Sequence, residues 1–194
     1  MSDIRNPQDP SATFRRAVRL VIYAGPTGGH VFPAQAFSER FRKRSPGSRI
    51  HFVTCRRAKS LVDKMPPGTF DTISYLPEFG FSRRFSWKTL KPFVLFPYLF
   101  LQAYLFLIRK KPDLCIGFGS FVSYPGMMTA HALKIPTLIH EQNKVPGKAT
   151  QWLVPHMDAV AESFERTAFV QPPKTLYTVG LPLRSFIVDA AVQM

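Results

Sequence analysis

A glycine-rich loop ending in a histidine, residues 25–30 (GPTGGH), separates an apolar stretch from a helical pattern. Glycines at such a turn let backbone N–H groups approach an anion, and the positive end of the helix dipole strengthens the attraction. The loop matches neither GxGxxG nor GxxxxGK[ST], so it does not indicate a dinucleotide or P-loop nucleotide site. On spacing alone, an anion-binding loop and a plain tight turn are equally good interpretations.

Two further segments carry side chains or turns suited to ligand binding. Residues 117–126 (GFGSFVSYPG) are rich in small residues, and residues 140–143 (HEQN) are four polar side chains after an apolar run. His30 and Glu141 are candidates for a general base and its orienting carboxylate, and Asn143 is a candidate for bonding a sugar or an amide. The other interpretation of 140–143 is a solvated loop.

The rest of the sequence predicts the elements that position these segments. Short apolar runs alternate with helical patterns, which is typical of a Rossmann-like α/β fold: a parallel sheet with helices on both faces. The carboxyl edge of such a sheet binds ligands, and all three segments follow strands. The predicted strands are 20–24, 49–54, 70–76, 113–117, 136–140, 157–161 and 175–179, and the predicted helices are 32–44, 55–65, 123–133 and 148–154.

One segment departs from this alternation. Residues 93–108 (FVLFPYLFLQAYLFLI) are apolar or aromatic except for Pro97 and Gln102, and basic residues flank them on both sides. The run is shorter than the ~20 residues of a membrane span, so the sequence favours a helix lying on or in a bilayer surface. A buried core helix and a transmembrane span are the alternatives. The candidate membrane-association residues are Trp87, Phe93, Phe96, Phe100, Tyr104, Leu107, Arg109 and Lys110.

Composition and charge indicate which kinds of partner the protein binds. The 194 residues carry 26 Lys and Arg against 12 Asp and Glu, a net charge of +14 that implies an anionic partner. Nucleic acid is not expected, because the basic residues flank an apolar run instead of interleaving with stacking aromatics. Two separated cysteines predict neither a disulfide framework nor a zinc site. Residues 1–17 read as a flexible lead-in without a signal peptide, 18–185 as one domain, and 186–194 as the start of a linker.

Four segments together, residues 25–34, 111–126, 135–153 and 179–184 (VGLPLR), resemble the amino-terminal domain of the MurG family of glycosyltransferases. The resemblance implies one half of a GT-B enzyme that transfers N-acetylglucosamine, with inversion, from UDP-GlcNAc to a lipid-linked muramoyl-pentapeptide of peptidoglycan synthesis. It implies no cofactor and no metal. It also implies an anionic membrane surface as a partner and a peripheral location on the cytoplasmic face of the plasma membrane.

The resemblance also assigns roles to individual positions. His30 matches the proposed base on the acceptor hydroxyl, and Glu141 lies beside it. The remaining matches are positions that contact the donor or the acceptor: Thr27, Gly28, Gly29, Gly119, Ser120, Ser123, Asn143 and Arg184.

The sequence departs from the family pattern at Pro26, Phe121 and Leu181, where the family has glycine, tyrosine and asparagine. It also ends at Met194, where the family's donor-binding domain begins. We therefore keep two alternatives open. The chain is a subunit of a split glycosyltransferase that needs a separate donor-binding domain or chain, or it is a non-catalytic lipid-binding remnant.

Overall fold

The computed structural model describes residues 16–77, 91–184 and 187, with the side chains of 91–95 outside that description. The predicted lead-in therefore lies almost wholly outside the described residues, and the predicted linker does so except for residue 187. The seven predicted strands are confirmed, within three residues at each end. They are β1 (Arg19–Tyr23), β2 (Arg49–Cys55), β3 (Thr72–Leu76), β4 (Leu114–Gly117), β5 (Thr137–Glu141), β6 (Ala159–Glu162) and β7 (Leu176–Thr178).

In the described part of the chain, five α-helices connect these strands: α1 (Gly28–Arg44), α2 (Lys59–Val62), α3 (Lys91–Lys110), α4 (Ser123–Ala132) and α5 (Lys148–Leu153). α1 begins four residues earlier than the sequence predicted. Thr27 is extended and serves as its N-cap, so the last glycines of the loop form the first helical turn. α2 is shorter than predicted, because a 3-10 turn (Arg56–Ala58) precedes it and a non-helical turn at 63–65 follows it.

The strands form one parallel sheet in the order β3-β2-β1-β4-β5-β6-β7. The order reverses direction between β1 and β4, which makes the crevice between these two strands the topological switch point, where such sheets bind ligands. Tyr23 of β1 pairs with Gly117 of β4, and Gly117 pairs with Ile139 of β5. The loops that follow these strands therefore leave the sheet side by side.

Alternate residues of the central strands pack into two separate cores. Leu20 and Ile22 face α1 and α2, together with Phe52, whereas Val21 and Tyr23 face α3, α4 and α5. Both faces of the sheet are thus covered, as its continuous apolar strands require.

α3 has one buried side and one side exposed to solvent, although its sequence is apolar on nearly all sides. Leu99 and Leu107 are fully buried, and Leu107 packs in the core of the second face. Its opposite side is exposed to solvent, which rules out the fully buried core helix. The exposed apolar residues on that side are Tyr98, Leu101, Tyr104, Leu105 and Ile108. We call this set the outer face of α3.

The position of Leu107 corrects its assignment as a membrane-association residue, because a side chain closed in beneath the helix reaches no external surface. Phe96 and Phe100 are half-buried against Tyr124 of α4, with ring centroids 6.4 and 6.3 Å from it, whereas Arg109 and Lys110 are exposed. Trp87 and the side chain of Phe93 lie outside the described residues. Within the described ranges, none of the helices is both long and apolar enough to cross a membrane.

Candidate functional site

His30 stands in the first turn of α1, at the switch point of the sheet. Its Nδ1 lies 2.8 Å from the Oγ1 of Thr27, the N-cap residue. An N-cap threonine usually bonds a free N–H of the first helical turn, but here the hydroxyl is engaged with the imidazole. The backbone N–H groups of His30 and Val31 both donate to the Thr27 carbonyl. If Nδ1 donates its proton to Thr27, then Nε2 is left with a free lone pair.

Two glycines enclose the His30 imidazole. A Cβ on Gly25 would lie 3.1 Å from Nδ1 and 2.4 Å from the Cβ of Ser120. A Cβ on Gly119 would lie 3.2 Å from Nε2, and the φ of +78° at this residue independently favours glycine. The loops after β1 and β4 therefore touch through these glycines, with the imidazole between them.

The electrostatic surroundings of His30 suit a base. Burial lowers the pKa of His30 below its ordinary value near 6.5, and the negative charge of Glu141 opposes part of that effect. Burial therefore favours the neutral form of the imidazole, the form that is able to accept a proton. The influence of Glu141 on His30 also indicates that the end of β5 lies close to the start of α1.

The sequence suggested Glu141 as the carboxylate that orients His30, but the two side chains form no hydrogen bond with each other. The buried Glu141 carboxylate accepts two hydrogen bonds at Oε1, one from the backbone N–H and one from the side-chain Nδ2 of Asn143, both 2.9 Å long. The hydrogen-bonding partner of His30 is Thr27, because the N-cap position lies within one helical turn of the imidazole. Glu141 acts on His30 only through its charge.

The N-terminus of α1 offers backbone donors to an anion. Gly29 is exposed, and a Cβ built on it would meet no atom within 4 Å. Among the described residues, the N–H groups of Gly28 and Gly29 have no acceptor. The 17-residue helix adds its dipole at this end. This geometry favours the anion-binding interpretation of the loop over the plain turn.

Arg184 reaches the same corner from the other end of the chain. Its guanidinium carbon lies 4.1 Å from the centroid of the Phe32 ring, in a cation–π arrangement. The Phe32 ring in turn packs against Gly28, where a Cβ would come within 2.8 Å of it. The sequence did not identify Phe32, although its position four residues after Gly28 places both on one helical face.

The second loop contributes differently from the prediction. Gly119 and Ser120 both have positive φ, and Ser120 packs against Gly25. Ser123 is fully buried, and its hydroxyl donates to the Gly119 carbonyl at 2.6 Å. The assignment of Ser123 as a binding residue is therefore wrong: its hydroxyl fixes the conformation of the loop, since it opens α4 directly beneath Gly119.

The four polar residues 140–143 are not a solvated loop, because His140 and Glu141 are the last two residues of β5. His140 and Gln142 are buried, and Gln142 donates to the His140 carbonyl. The His140 Nε2 lies 3.3 Å from the carbonyl oxygen of Gly180, which ties the segment leading to Arg184 to β5. Asn143 is exposed at the end of this segment. The three predicted segments thus converge, and Arg184 joins them.

An aromatic cluster continues from the second loop towards α3. Trp152 of α5, which is half-exposed, contacts Phe121 and Tyr124 with ring centroids about 6 Å apart. Tyr124 contacts Phe96 and Phe100. The cluster forms an apolar path from the glycine loops to α3.

The parallel Rossmann-like sheet, with two interlocking glycine loops and a histidine at its switch point, matches one half of a GT-B glycosyltransferase in the structural comparison below. Residues 20–162 match the model of the glycosyltransferase family 28 N-terminal domain. The chain belongs to this family.

Curated relatives share one activity by name: UDP-N-acetylglucosamine--N-acetylmuramyl-(pentapeptide) pyrophosphoryl-undecaprenol N-acetylglucosamine transferase. The protein from Carboxydothermus hydrogenoformans is 38% identical over 175 residues, which cover 90% of this chain and 47% of the relative. The protein from Desulfotalea psychrophila is 32% identical, over 92% of this chain and 48% of the relative. The chain thus spans about half the length of the curated relatives it matches.

Solved structures agree with this placement. The crystal structure of Acinetobacter baumannii MurG aligns with a TM-score of 0.65 and 28% identity, covering 85% of this chain and 46% of that one. The UDP-GlcNAc 2-epimerase of Methanocaldococcus jannaschii aligns with a TM-score of 0.60 and 15% identity, over 90% of this chain and 48% of that one. At that identity the second likeness concerns the fold alone.

Proposed function

We propose that this chain is the acceptor-binding half of a glycosyltransferase that moves N-acetylglucosamine from UDP-GlcNAc to a lipid-linked muramoyl-pentapeptide. The observation that carries the proposal is the position of the His30 imidazole between the glycine loops, held by Thr27 at Nδ1. Membership of the family and the activity named for the relatives support it. The chain carries the positions that activate a hydroxyl and bind phosphate.

His30 acts as the general base in this proposal. Its Nε2 takes the proton from the attacking acceptor hydroxyl while that oxygen forms a bond to the anomeric carbon of the donor sugar. The bond from this carbon to the diphosphate breaks, and UDP leaves with the electron pair. A positioned base of this kind contributes about 10²–10⁴-fold to the rate.

The N-terminus of α1 stabilises negative charge. The free N–H groups of Gly28 and Gly29 donate to a diphosphate, and the helix dipole adds positive potential where charge develops. Arg184, stacked on Phe32, places a fixed positive charge near the same residues. Both a nucleoside diphosphate and a polyprenyl diphosphate carry the chemistry that this corner recognises.

The outer face of α3 is the proposed membrane contact. It exposes five apolar or aromatic side chains, and Arg109 and Lys110 at the end of the helix are exposed beside it. Basic residues near an anionic surface each contribute about 1 kcal/mol to binding. A lipid-linked acceptor lies in such a surface, so docking the outer face of α3 there brings the chain to the membrane that holds its acceptor.

The donor sugar needs a second domain in this proposal, supplied by further sequence or by a separate chain. The decisive experiment combines the purified chain with the separately produced carboxyl-terminal half of a relative and follows transfer of radiolabelled GlcNAc to a lipid-linked acceptor. We expect transfer with the wild-type chain and a loss of at least 100-fold with His30→Ala. A chain that binds the acceptor but supports no transfer with any donor half would instead favour the non-catalytic remnant.

A further inference from the structure

We propose that Glu141 is a positioning residue that turns the side-chain amide of Asn143 so that its oxygen, Oδ1, accepts a hydrogen bond from a hydroxyl of the bound sugar. This inference rests on the proposed function for the identity of the ligand. The arrangement of Glu141 and Asn143 does not depend on that function and is tested separately below.

The orientation of the Asn143 amide follows from the chemistry of its partner. Oε1 of Glu141 accepts hydrogen bonds only, when the carboxyl is ionised, so the group that faces it at 2.9 Å must be the nitrogen Nδ2. The backbone N–H of Asn143 donates to the same oxygen, which fixes the start of the side chain as well. Two charge-assisted hydrogen bonds to one buried oxygen thus hold the residue in one conformation.

The free side of the amide is therefore an acceptor. In a planar amide the oxygen and the nitrogen lie on opposite sides of the carbon, so Oδ1 points away from Glu141. Asn143 is exposed, whereas Glu141 is only 2% exposed. A ligand at the carboxyl edge meets an oxygen that accepts from a hydroxyl, with the second proton of Nδ2 still available to a ligand oxygen. A sugar hydroxyl, which both donates and accepts, fits this pair of atoms.

The same carboxylate also acts on His30. Its charge raises the pKa of His30 against the larger, lowering effect of burial. Glu141 therefore links the group that fixes the sugar to the group that takes the proton, without contacting either reacting atom.

Two variants of Glu141 separate these effects. Glu141→Ala removes the acceptor, and we expect hydrogen exchange at the Asn143 backbone N–H to become about 10- to 100-fold faster, as for loss of a hydrogen bond to a charged group. Glu141→Gln keeps a carbonyl oxygen but removes the charge. We expect it to lower the pKa of His30, measured by NMR titration of the imidazole in the purified chain.

Glu162→Gln is the matched control. Glu162 pairs with Glu141 across β5 and β6, is also buried, and bonds Thr178 and Thr167 instead of the site. The Glu162→Gln variant should leave both the hydrogen-exchange rate of the Asn143 backbone N–H and the pKa of His30 unchanged. If Glu162→Gln moves them as far as Glu141→Gln does, the effect is general to the sheet edge and the positioning role is overturned.

Titration with N-acetylglucosamine, followed by NMR at the Asn143 side-chain resonances, tests whether Asn143 binds a sugar. We expect saturable shifts in the wild type and at least tenfold weaker binding in Glu141→Ala. Unchanged exchange in Glu141→Ala would refute the positioning of Asn143. Faster exchange without any sugar-induced shift in the wild type would leave the arrangement intact and overturn the assignment of the sugar hydroxyl.

Discussion

Gly119 packs so closely against the His30 imidazole that a Cβ on this residue would lie 3.1 Å from Cδ2 and 3.2 Å from Nε2 of the ring. The loop after β4 thereby closes on the imidazole from one side while Gly25 closes on it from the other. This relationship makes several properties of the site testable.

Gly119→Ala should displace the imidazole and destabilise the chain. The new methyl group is crowded against His30, and alanine at a φ of +78° costs about 1–2 kcal/mol. We expect a lower Tm and changed imidazole resonances of His30. Gly29→Ala is the matched comparison for stability, because its Cβ points into open space at a helical position where alanine is favoured by about 1 kcal/mol. Equal Tm changes of the same sign in the two variants would contradict this account.

Thr27→Val should alter the tautomer of His30. The isosteric change removes the hydroxyl that lies 2.8 Å from Nδ1 without removing a side-chain cap from α1, since none is formed. A hydrogen bond of about 1 kcal/mol fixes the ratio of the two tautomers several-fold, so we expect mixed tautomers in imidazole ¹⁵N spectra and reduced transfer activity. Thr27→Ser should retain the wild-type spectrum. A wild-type ¹⁵N pattern in the valine variant would show that Thr27 does not hold the ring.

The stability of the chain should fall as the pH drops from about 6.5. Burial, aided by the charge of Lys110, lowers the pKa of His51 from 6.5 to about 4, and burial also lowers the pKa of His30 and of His140. Because these groups bind protons more readily in the unfolded chain, their contribution is fully present above pH 6.5. The contribution of His51 is lost progressively down to about pH 4.

His51→Gln is the variant that checks this pH dependence. His51 lies between the hydroxyls of Thr72 and Ser74, against the Phe106 ring of α3. We expect its replacement to flatten the dependence of Tm on pH between 6.5 and 4. Parallel curves for the variant and the wild type would show that other groups cause the acid sensitivity.

Charges on the outer face of α3 should abolish membrane binding without unfolding the chain. Leu101 and Leu105 are exposed, so we expect Leu101→Asp and Leu105→Asp each to change the free energy of unfolding by no more than about 0.5 kcal/mol. Recovery on phosphatidylglycerol vesicles in a flotation assay should fall at least tenfold. Undiminished recovery would remove the outer face from the proposal.

Leu107→Ala is the contrasting variant for this surface. Leu107 is fully buried beneath α3, so its truncation should cost about 2–5 kcal/mol of stability through the cavity that it leaves. At a temperature where this variant is folded, vesicle recovery should be unchanged. Lost recovery with an intact fold would mean that Leu107 contacts lipid directly.

The sequence by itself determined the sheet and the neighbourhood of the site. Apolar runs ending at glycine or polar residues define parallel strands, and the loops that follow them must emerge at one edge, so His30, Gly119 and Asn143 were expected at the same edge. These relations depend on local periodicity and strand direction, which a sequence carries explicitly. The strand order of the folded sheet then made β1, β4 and β5 neighbours.

Only the tertiary structure decided which atoms meet. In the structure Thr27, and not Glu141, lies within hydrogen-bonding distance of the His30 imidazole, and the Glu141 carboxylate accepts from Asn143. On α3, which has apolar residues on both sides, Leu107 is buried and Leu101 is exposed. The tertiary structure also brought Arg184 onto Phe32 from the far end of the chain. Such choices follow from packing between distant segments, where a rotation of one helix or one side chain changes the partner while leaving the sequence pattern the same.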